Sequence, residues 1–142
     1  MISQTTEYAL RAVVCLATQP EASMTTQELA AQTQVPESYL SKVLQTLGRG
    51  GIVHSQRGLH GGFGLARDPG TLTLLEVINT IVPLQPIDEC PLKFATHGAN
   101  LCPLHRRVNQ SFQAMEKIFG KTTIADLLSE SSESKPLCER PS

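Results

Sequence analysis

The chain has 142 residues, with 12 Lys and Arg against 13 Asp and Glu and a net charge of −1. A chain of this length folds as one domain, with or without a short appendage, and buries roughly 68% of its surface. Its 40% hydrophobic content excludes wholesale disorder. No apolar run approaches the roughly 18 residues of a membrane span. Because Glu7 and Arg11 interrupt the first apolar stretch and the four cysteines are scattered, we expect neither a signal peptide nor a secreted disulfide scaffold, but a cytoplasmic protein.

The near-zero net charge conceals a basic segment. Residues 38–67 contain no Asp or Glu and four ionised basic residues, namely Lys42, Arg49, Arg57 and Arg67. About +4 on one segment of a neutral protein is typical of a surface that binds nucleic acid. A solvated surface without a partner would carry the same charge, so the surrounding elements have to decide between the two interpretations.

Helical signals fill the residues before this segment. The apolar residues of 5–18 follow a helical period, and Pro20 ends the helix. Thr25 and Glu28 have the spacing of a capping box, which opens a second helix. Pro36 suits the first position of a third helix. We expect three glycines to end that helix: Gly48, Gly50 and Gly51.

A hairpin follows the third helix. Residues 52–53 predict a short strand, residues 58–62 a glycine-rich turn and residues 63–65 the returning strand. Two short helices joined by a tight turn and followed by such a hairpin predict a mainly α fold, the winged helix-turn-helix. The third helix would then enter the major groove of DNA with Ser38, Tyr39, Ser41, Lys42 and Gln45. The wing would offer the minor groove Arg57, together with His60, Gly61 and Gly62, where glycines let the backbone approach phosphate.

The second half of the chain predicts a helix over residues 73–82, stopped by Pro83, and then a long aperiodic loop over 84–102. A long helix starts at Pro103 and ends at Gly120. Its apolar residues form one stripe: Leu104, Val108, Phe112, Met115 and Phe119. A domain of this size has little left to cover the stripe, so we expect a homodimer.

These elements divide the chain into four parts. Residues 1–83 form the DNA-binding domain and residues 84–102 a sensor loop. Residues 103–129 hold the dimerisation helix and a terminal helix over 123–128, and residues 130–142 a flexible tail.

Two cysteines bracket the loop. Cys102 immediately precedes Pro103, so its sulfur lies at a helix N-terminus, where backbone N–H groups and the helix dipole favour the metal-binding thiolate. His105 lies three residues on, on the same side of the helix. The spacing of Cys90, Cys102 and His105 is compatible with a metal site and equally with two ordinary thiols and a surface histidine. Cys15 is expected in the core. We expect no enzyme, since no nucleophile–base pair or phosphate-binding glycine loop occurs.

Five segments together resemble the Rrf-type family of bacterial winged-helix transcriptional regulators, the family that includes IscR and NsrR. They are residues 6–12, 35–40, 57–63, 74–77 and 122–127, and the 57–63 segment has the pattern Arg-Gly-x-x-Gly-Gly. The resemblance implies a dimeric DNA-binding repressor on a two-fold-related operator. It also implies sensing of redox state, nitric oxide or iron–sulfur status through an iron–sulfur cluster.

The resemblance also implies a ligand set. Cluster-binding members carry three loop cysteines, of which Cys90 and Cys102 match the outer two, whereas Thr96 stands at the middle position. In the redox-sensing branch the cluster ligands are two loop cysteines of one subunit together with a glutamate and a histidine from the first helix of the other subunit. Glu7 matches that glutamate, and Arg11 stands where the histidine would be.

His105 matches a histidine ligand of the IscR branch. The implied set is therefore Cys90, Cys102, His105 and, across the dimer, Glu7. Such a mixed set suits [2Fe–2S] better than [4Fe–4S], and Zn²⁺ uses the same donor types.

Two other interpretations stay open. One is a cluster-free regulator of the same family, working through a partner protein or a thiol switch between Cys90 and Cys102. The other is a winged-helix interaction module that does not bind DNA. Where the IscR branch has a discriminating glutamate this chain has Ser41, so we expect a different sequence preference.

Overall fold

The computed structural model describes residues 2–59, 61–97, 100–130, 134 and 136. In chain order the elements are α1 (Gln4–Ala17), α2 (Thr26–Thr33), α3 (Glu37–Arg49), β1 (Val53–Gln56), β2 (Gly62–Leu65), α4 (Leu74–Ile81), a 3-10 turn (Ala95–His97), α5 (Pro103–Lys121) and α6 (Ile124–Ser129). The mainly α fold with a two-stranded antiparallel wing is confirmed. No helix within the described part of the chain is long and apolar enough to cross a membrane.

Local capping signals set most helix starts. The predicted box of Thr25 and Glu28 is confirmed, since each residue's side chain accepts a hydrogen bond from the other's backbone N–H, at 3.1 and 3.0 Å. Thr73 starts α4 and Thr123 starts α6 with the same reciprocal arrangement. Each box satisfies two N–H groups that a helix start leaves without partners, which is why these boundaries are sharp.

Some predicted boundaries are wrong by a few residues. Pro36 is the residue before α3 rather than its first residue, and α3 continues through Gly48 to Arg49. Gly120 likewise lies inside α5, which ends at Lys121. In α3 the helical hydrogen bonds continue past Gly48, since the Gly50 N–H donates to the Thr46 carbonyl at 3.1 Å, despite the weak helix propensity of glycine. At Gly120 a Cβ would lie 3.3 Å from a Leu75 methyl group, so the glycine permits the close approach of α4 and α5.

The wing is longer than predicted and has a third attachment. β1 and β2 pair in the register Val53↔Leu65, and β2 also forms a bridge with Met24, just before α2. The Met24 N–H donates to the Phe63 carbonyl at 2.9 Å, and the Phe63 N–H donates back at 2.7 Å. The sheet therefore fixes the wing against the helix-turn-helix.

One core unites the two ends of the chain. The fully buried side chains of α1, α3 and α4 include Val13, Leu16, Leu40, Leu44, Leu47, Val77 and Ile78. Ile124, the first residue of α6, is 0% exposed in the same core. Its N–H donates to the Leu72 carbonyl at 2.9 Å, and the Leu74 N–H donates to the Thr122 carbonyl at 3.0 Å. The terminal helix is thus tied to the start of α4.

α5 differs from the other long helices because none of its residues is buried. Leu104, the first residue of the predicted stripe, is 66% exposed, and Ile118, which is not part of the stripe, is 63% exposed. The rest of the predicted stripe is half-buried: Val108, Phe112, Met115 and Phe119. A single chain therefore leaves this stripe partly open to solvent. The predicted tail, residues 130–142, lies almost entirely outside the described residues, and so does Cys138.

Candidate functional site

The outer face of α3 carries the predicted DNA-reading side chains. Ser38, Lys42 and Gln45 are exposed, and Tyr39 is 58% exposed. Ser41 is half-buried, and its hydroxyl donates to the Glu37 carbonyl of the same helix at 3.1 Å. The face consequently offers a row of hydrogen-bonding groups and one positive charge. Within this row, the Ser41 hydroxyl already has a hydrogen-bond partner in the backbone of α3.

Arg57 is exposed just beyond β1, where the hairpin turns. Gly61 and Gly62 are half-buried, and each is needed by the hairpin itself. A Cβ on Gly61 would lie 2.6 Å from the Gln56 carbonyl oxygen, and one on Gly62 would overlap the Met24 carbonyl oxygen. The hairpin therefore requires glycine at both positions for steric reasons. The approach of these two glycines to a DNA phosphate stays a prediction. His60 lies outside the described residues.

The basic segment is less uniform than its composition indicates. Arg67 is held by Glu76, with Nη2 3.1 Å from Oε1, and its charge is balanced there. Among the described residues no carboxylate pairs with Lys42, Arg49 or Arg57. These three side chains supply the positive charge that α3 and the wing turn outward.

A cluster that the sequence reasoning missed links α1 to the helix-turn-helix. The Arg11 guanidinium pairs with Glu7 at 2.8 Å and donates to the Thr33 carbonyl, at the end of α2, at 3.1 Å. It also lies 5.5 Å from the centroid of the Tyr8 ring. That ring packs edge-on against Tyr39 of α3, with centroids 6.5 Å apart. The sequence did contain one signal, the four-residue spacing of Glu7 and Arg11.

The sensor loop meets the start of α5 at Cys102, which is the residue before the first turn. The Cys102 Sγ lies 3.3 Å from Nδ1 of His105, so the structure brings this predicted pair together. The loop is anchored nearby by the Ile87 N–H, which donates to the Asn109 side chain at 3.0 Å. Cys90, at the other end of the loop, is 5% exposed.

The full predicted ligand set does not come together within one chain. Over the described ranges, no three His, Cys, Asp or Glu side chains are grouped closely enough to hold a metal ion. Glu7 is engaged by Arg11 of its own chain and is 48% exposed. Cys15 is a core residue as predicted, 2% exposed, with its thiol donating to Gln32 Oε1 at 3.2 Å.

A two-stranded wing beside a helix-turn-helix, with basic and polar side chains on the exposed recognition helix, defines a winged-helix DNA-binding transcriptional regulator. The profile of the Rrf2 family, described as "Iron-dependent Transcriptional regulator", matches residues 2–130. The chain therefore belongs to the Rrf2 family.

Relatives and solved structures agree with this assignment. A putative HTH-type transcriptional regulator of Aquifex aeolicus is 30% identical over 131 residues, covering 90% of this chain and 91% of the relative. The HTH-type transcriptional regulator NsrR of Geobacillus kaustophilus is 31% identical over 129 residues, covering 87% and 86%. The solved structure of T. potens IscR has a TM-score of 0.76 at 25% identity, covering 94% of this chain and 89% of that one. CymR, the global cysteine regulator of B. subtilis, shares the fold with a TM-score of 0.75 at 23% identity, covering 93% and 98%.

Proposed function

We propose that this protein is a homodimeric repressor that binds a two-fold-related DNA operator and is controlled by its sensor loop, residues 84–102. The observation that carries the proposal is the continuous outward surface of α3 and the wing. That surface presents Lys42, Arg49 and Arg57 without a carboxylate partner among the described residues. Unpaired basic side chains on a winged helix complement the phosphate backbone.

The half-open apolar stripe of α5 supports the dimer. Fully burying an exposed Leu or Phe side chain contributes about 1.5–3 kcal/mol. The stripe on one face of α5 has one exposed residue, Leu104, and four half-buried ones, so a partner could bury further apolar surface there. A second copy of the same helix would cover them symmetrically and place two recognition helices on one duplex. Phe112→Asp should convert the dimer to monomer in sedimentation experiments. Lys117→Asp, on the opposite face of the helix, should leave it dimeric.

We further propose that the loop holds a [2Fe–2S] cluster through Cys90, Cys102 and His105 of one subunit and Glu7 of the other. The 3.3 Å approach of Cys102 to His105 supports two neighbouring donors. Bound there, a cluster would supply a redox-active group. Glu7 would have to leave Arg11 to reach it, which would free the guanidinium that joins α1 to α2 and α3.

Protein purified without oxygen tests the cluster. We expect a coloured protein containing iron, and we expect Cys90→Ala and Cys102→Ala each to remove colour and iron. Cys138→Ala is the matched control because it removes a thiol outside the proposed site. Iron that survives both loop substitutions would contradict the assignment.

Glu7→Gln tests the contribution across the dimer. We expect a folded dimer whose cluster is labile or has a changed spectrum. Mixed dimers of Glu7→Gln and Cys90→Ala subunits should retain one intact site, because both lesions then fall on the other site. Mixed dimers without any cluster would show that the ligand does not come from the partner.

A cluster-free thiol switch is the second candidate, favoured by Cys102, which is only half-buried and lies in no disulfide. Peroxide would take two electrons from the Cys90 and Cys102 thiols, forming a disulfide and water. A colourless protein whose operator affinity changes with peroxide and recovers with a dithiol would establish this candidate.

A further inference from the structure

A groove separates the end of α3 from the first strand of the wing. It has a volume of about 590 Å³, and its polar lining includes Gln45, Arg49 and Ser55, with Phe63 opposite Ser55 on β2. No acidic side chain lines it. Arg49 and Ser55 are exposed, so a negatively charged group reaching the groove from solvent meets a cation and a hydroxyl donor.

The groove continues the DNA-reading face of α3. Ser38, Lys42, Gln45 and Arg49 follow one another by four, three and four residues, which places them on one stripe of the helix. At 1.5 Å per residue, Ser38 and Arg49 are about 16 Å apart along the axis. The major groove of B-DNA is only about 12 Å wide. When the start of α3 reads base edges, its last turn therefore lies beside the phosphates that border the groove.

The wing begins on the other side of those phosphates. Only Gly50, Gly51 and Ile52 separate α3 from β1, and the exposed Arg57 follows β1 directly. A surface that runs from the major groove to the adjacent minor groove must cross the DNA strand between them. In the proposed complex the groove of Arg49 and Ser55 would lie against this strand.

We infer that Arg49 and Ser55 form a binding site for one DNA phosphate on the strand between the two grooves, an inference that rests on the proposed operator binding. The Arg49 guanidinium neutralises the phosphate and the Ser55 hydroxyl donates a hydrogen bond to it. The contact does not distinguish one base from another. It sets how far α3 and the wing stand apart on the duplex.

Arg49 also lies in the last turn of α3, where a positive charge stabilises the helix dipole. That structural role changes the melting temperature of the protein but not the salt dependence of DNA binding. The salt dependence therefore separates the two roles, because each neutralised phosphate contributes about 0.9 to the slope of log K against log[salt].

The experiment measures binding of the full-length protein to a duplex selected by the wild type from a random pool, at several salt concentrations. A dimer contacts two such phosphates, so we expect Arg49→Ala to reduce the slope by about 1.8. Its affinity should fall about 30-fold at 0.15 M salt and only about 3- to 4-fold at 0.5 M salt. Arg49→Lys should keep the wild-type slope.

Lys117→Ala is the matched control, since it removes one exposed charge on α5 two residues after Met115, on the far side from the apolar stripe. An unchanged slope in Arg49→Ala, or an equal reduction in Lys117→Ala, overturns the phosphate site. If Arg49→Ala unfolds, Ser55→Asp replaces it and should weaken binding most at low salt; wild-type affinity for that variant overturns the inference. A wild type that selects no duplex contradicts the proposed function instead.

Discussion

Gly62 is the residue at which a single added methyl group should detach the wing. It has φ of +146°, a conformation that side chains rarely adopt. An added Cβ would overlap the Met24 carbonyl oxygen, so the two hydrogen bonds between Met24 and Phe63 cannot both survive in Gly62→Ala. Losing them costs about 1–3 kcal/mol, and the backbone strain adds about 1–3 kcal/mol.

Alanine also lowers the conformational entropy of the unfolded chain, which stabilises the folded protein by only about 0.4–1 kcal/mol. We therefore expect a net loss of about 1–6 kcal/mol, which lowers the melting temperature by roughly 2–24 °C for a protein of this size. Thermal unfolding followed by circular dichroism measures the loss. Operator binding should weaken as well, because β2 carries the wing.

Two other glycines provide controls. Gly58 has φ of +109° with open space around its Cβ position, so Gly58→Ala should cost only the backbone strain of about 1–3 kcal/mol, less the same contribution of about 0.4–1 kcal/mol from the unfolded chain. Gly48 lies inside α3, and its nearest contact would be 3.9 Å from an added Cβ; Gly48→Ala should stabilise by about 0.5–1 kcal/mol. If Gly62→Ala melts and binds DNA like the wild type, the anchoring of the wing through Met24 is wrong.

Three further outcomes follow from the contacts. Arg57→Ala should weaken operator binding by about 1–3 kcal/mol without changing the fold, and wild-type binding in mobility shifts at fixed salt would exclude the wing contact. Thr73→Ala should cost about 0.5–2 kcal/mol of stability because α4 loses its cap; an unchanged denaturant midpoint would contradict that role. Hydrogen bonds from the Thr73 backbone, and then Arg67, lower the pKa of Glu76 from its ordinary value of 4.5. Its stabilisation is therefore present above about pH 4.5 and is lost as pH falls through the lowered pKa, so Glu76→Gln should flatten the acid limb of stability against pH.

Local sequence patterns predict most of the fold. Thr25 with Glu28 marks a helix start within four residues of sequence, and the apolar period of α3 assigns its buried side. The Rrf-type resemblance agreed with them, and the match over residues 2–130 confirms it. α3 and α5 end later than their glycines predict. In α3 the Gly50 N–H still donates to the Thr46 carbonyl, and in α5 Gly120 lies at the close approach to Leu75 of α4, neither of which glycine propensity registers.

Only part of the candidate site can be predicted from the sequence. The Cys102–His105 contact follows from three-residue spacing on one helix. The link from Arg11 to Thr33 joins residues 22 positions apart, and the ring contact of Tyr8 with Tyr39 depends on how α1 crosses α3. No local pattern encodes either. The proposed ligand set would use two subunits, and spacing within one chain cannot predict such a set.

Selection of duplexes from a random pool by the full-length protein, followed by sequencing, tests the central claim most directly. The account predicts enrichment of a site with two inverted half-sites whose centres lie a whole number of helical turns apart, about 34–36 Å per turn, as two recognition helices of a dimer require. Enrichment of a single unpaired half-site would contradict the dimeric arrangement. No enrichment over the starting pool would contradict sequence-specific DNA binding itself.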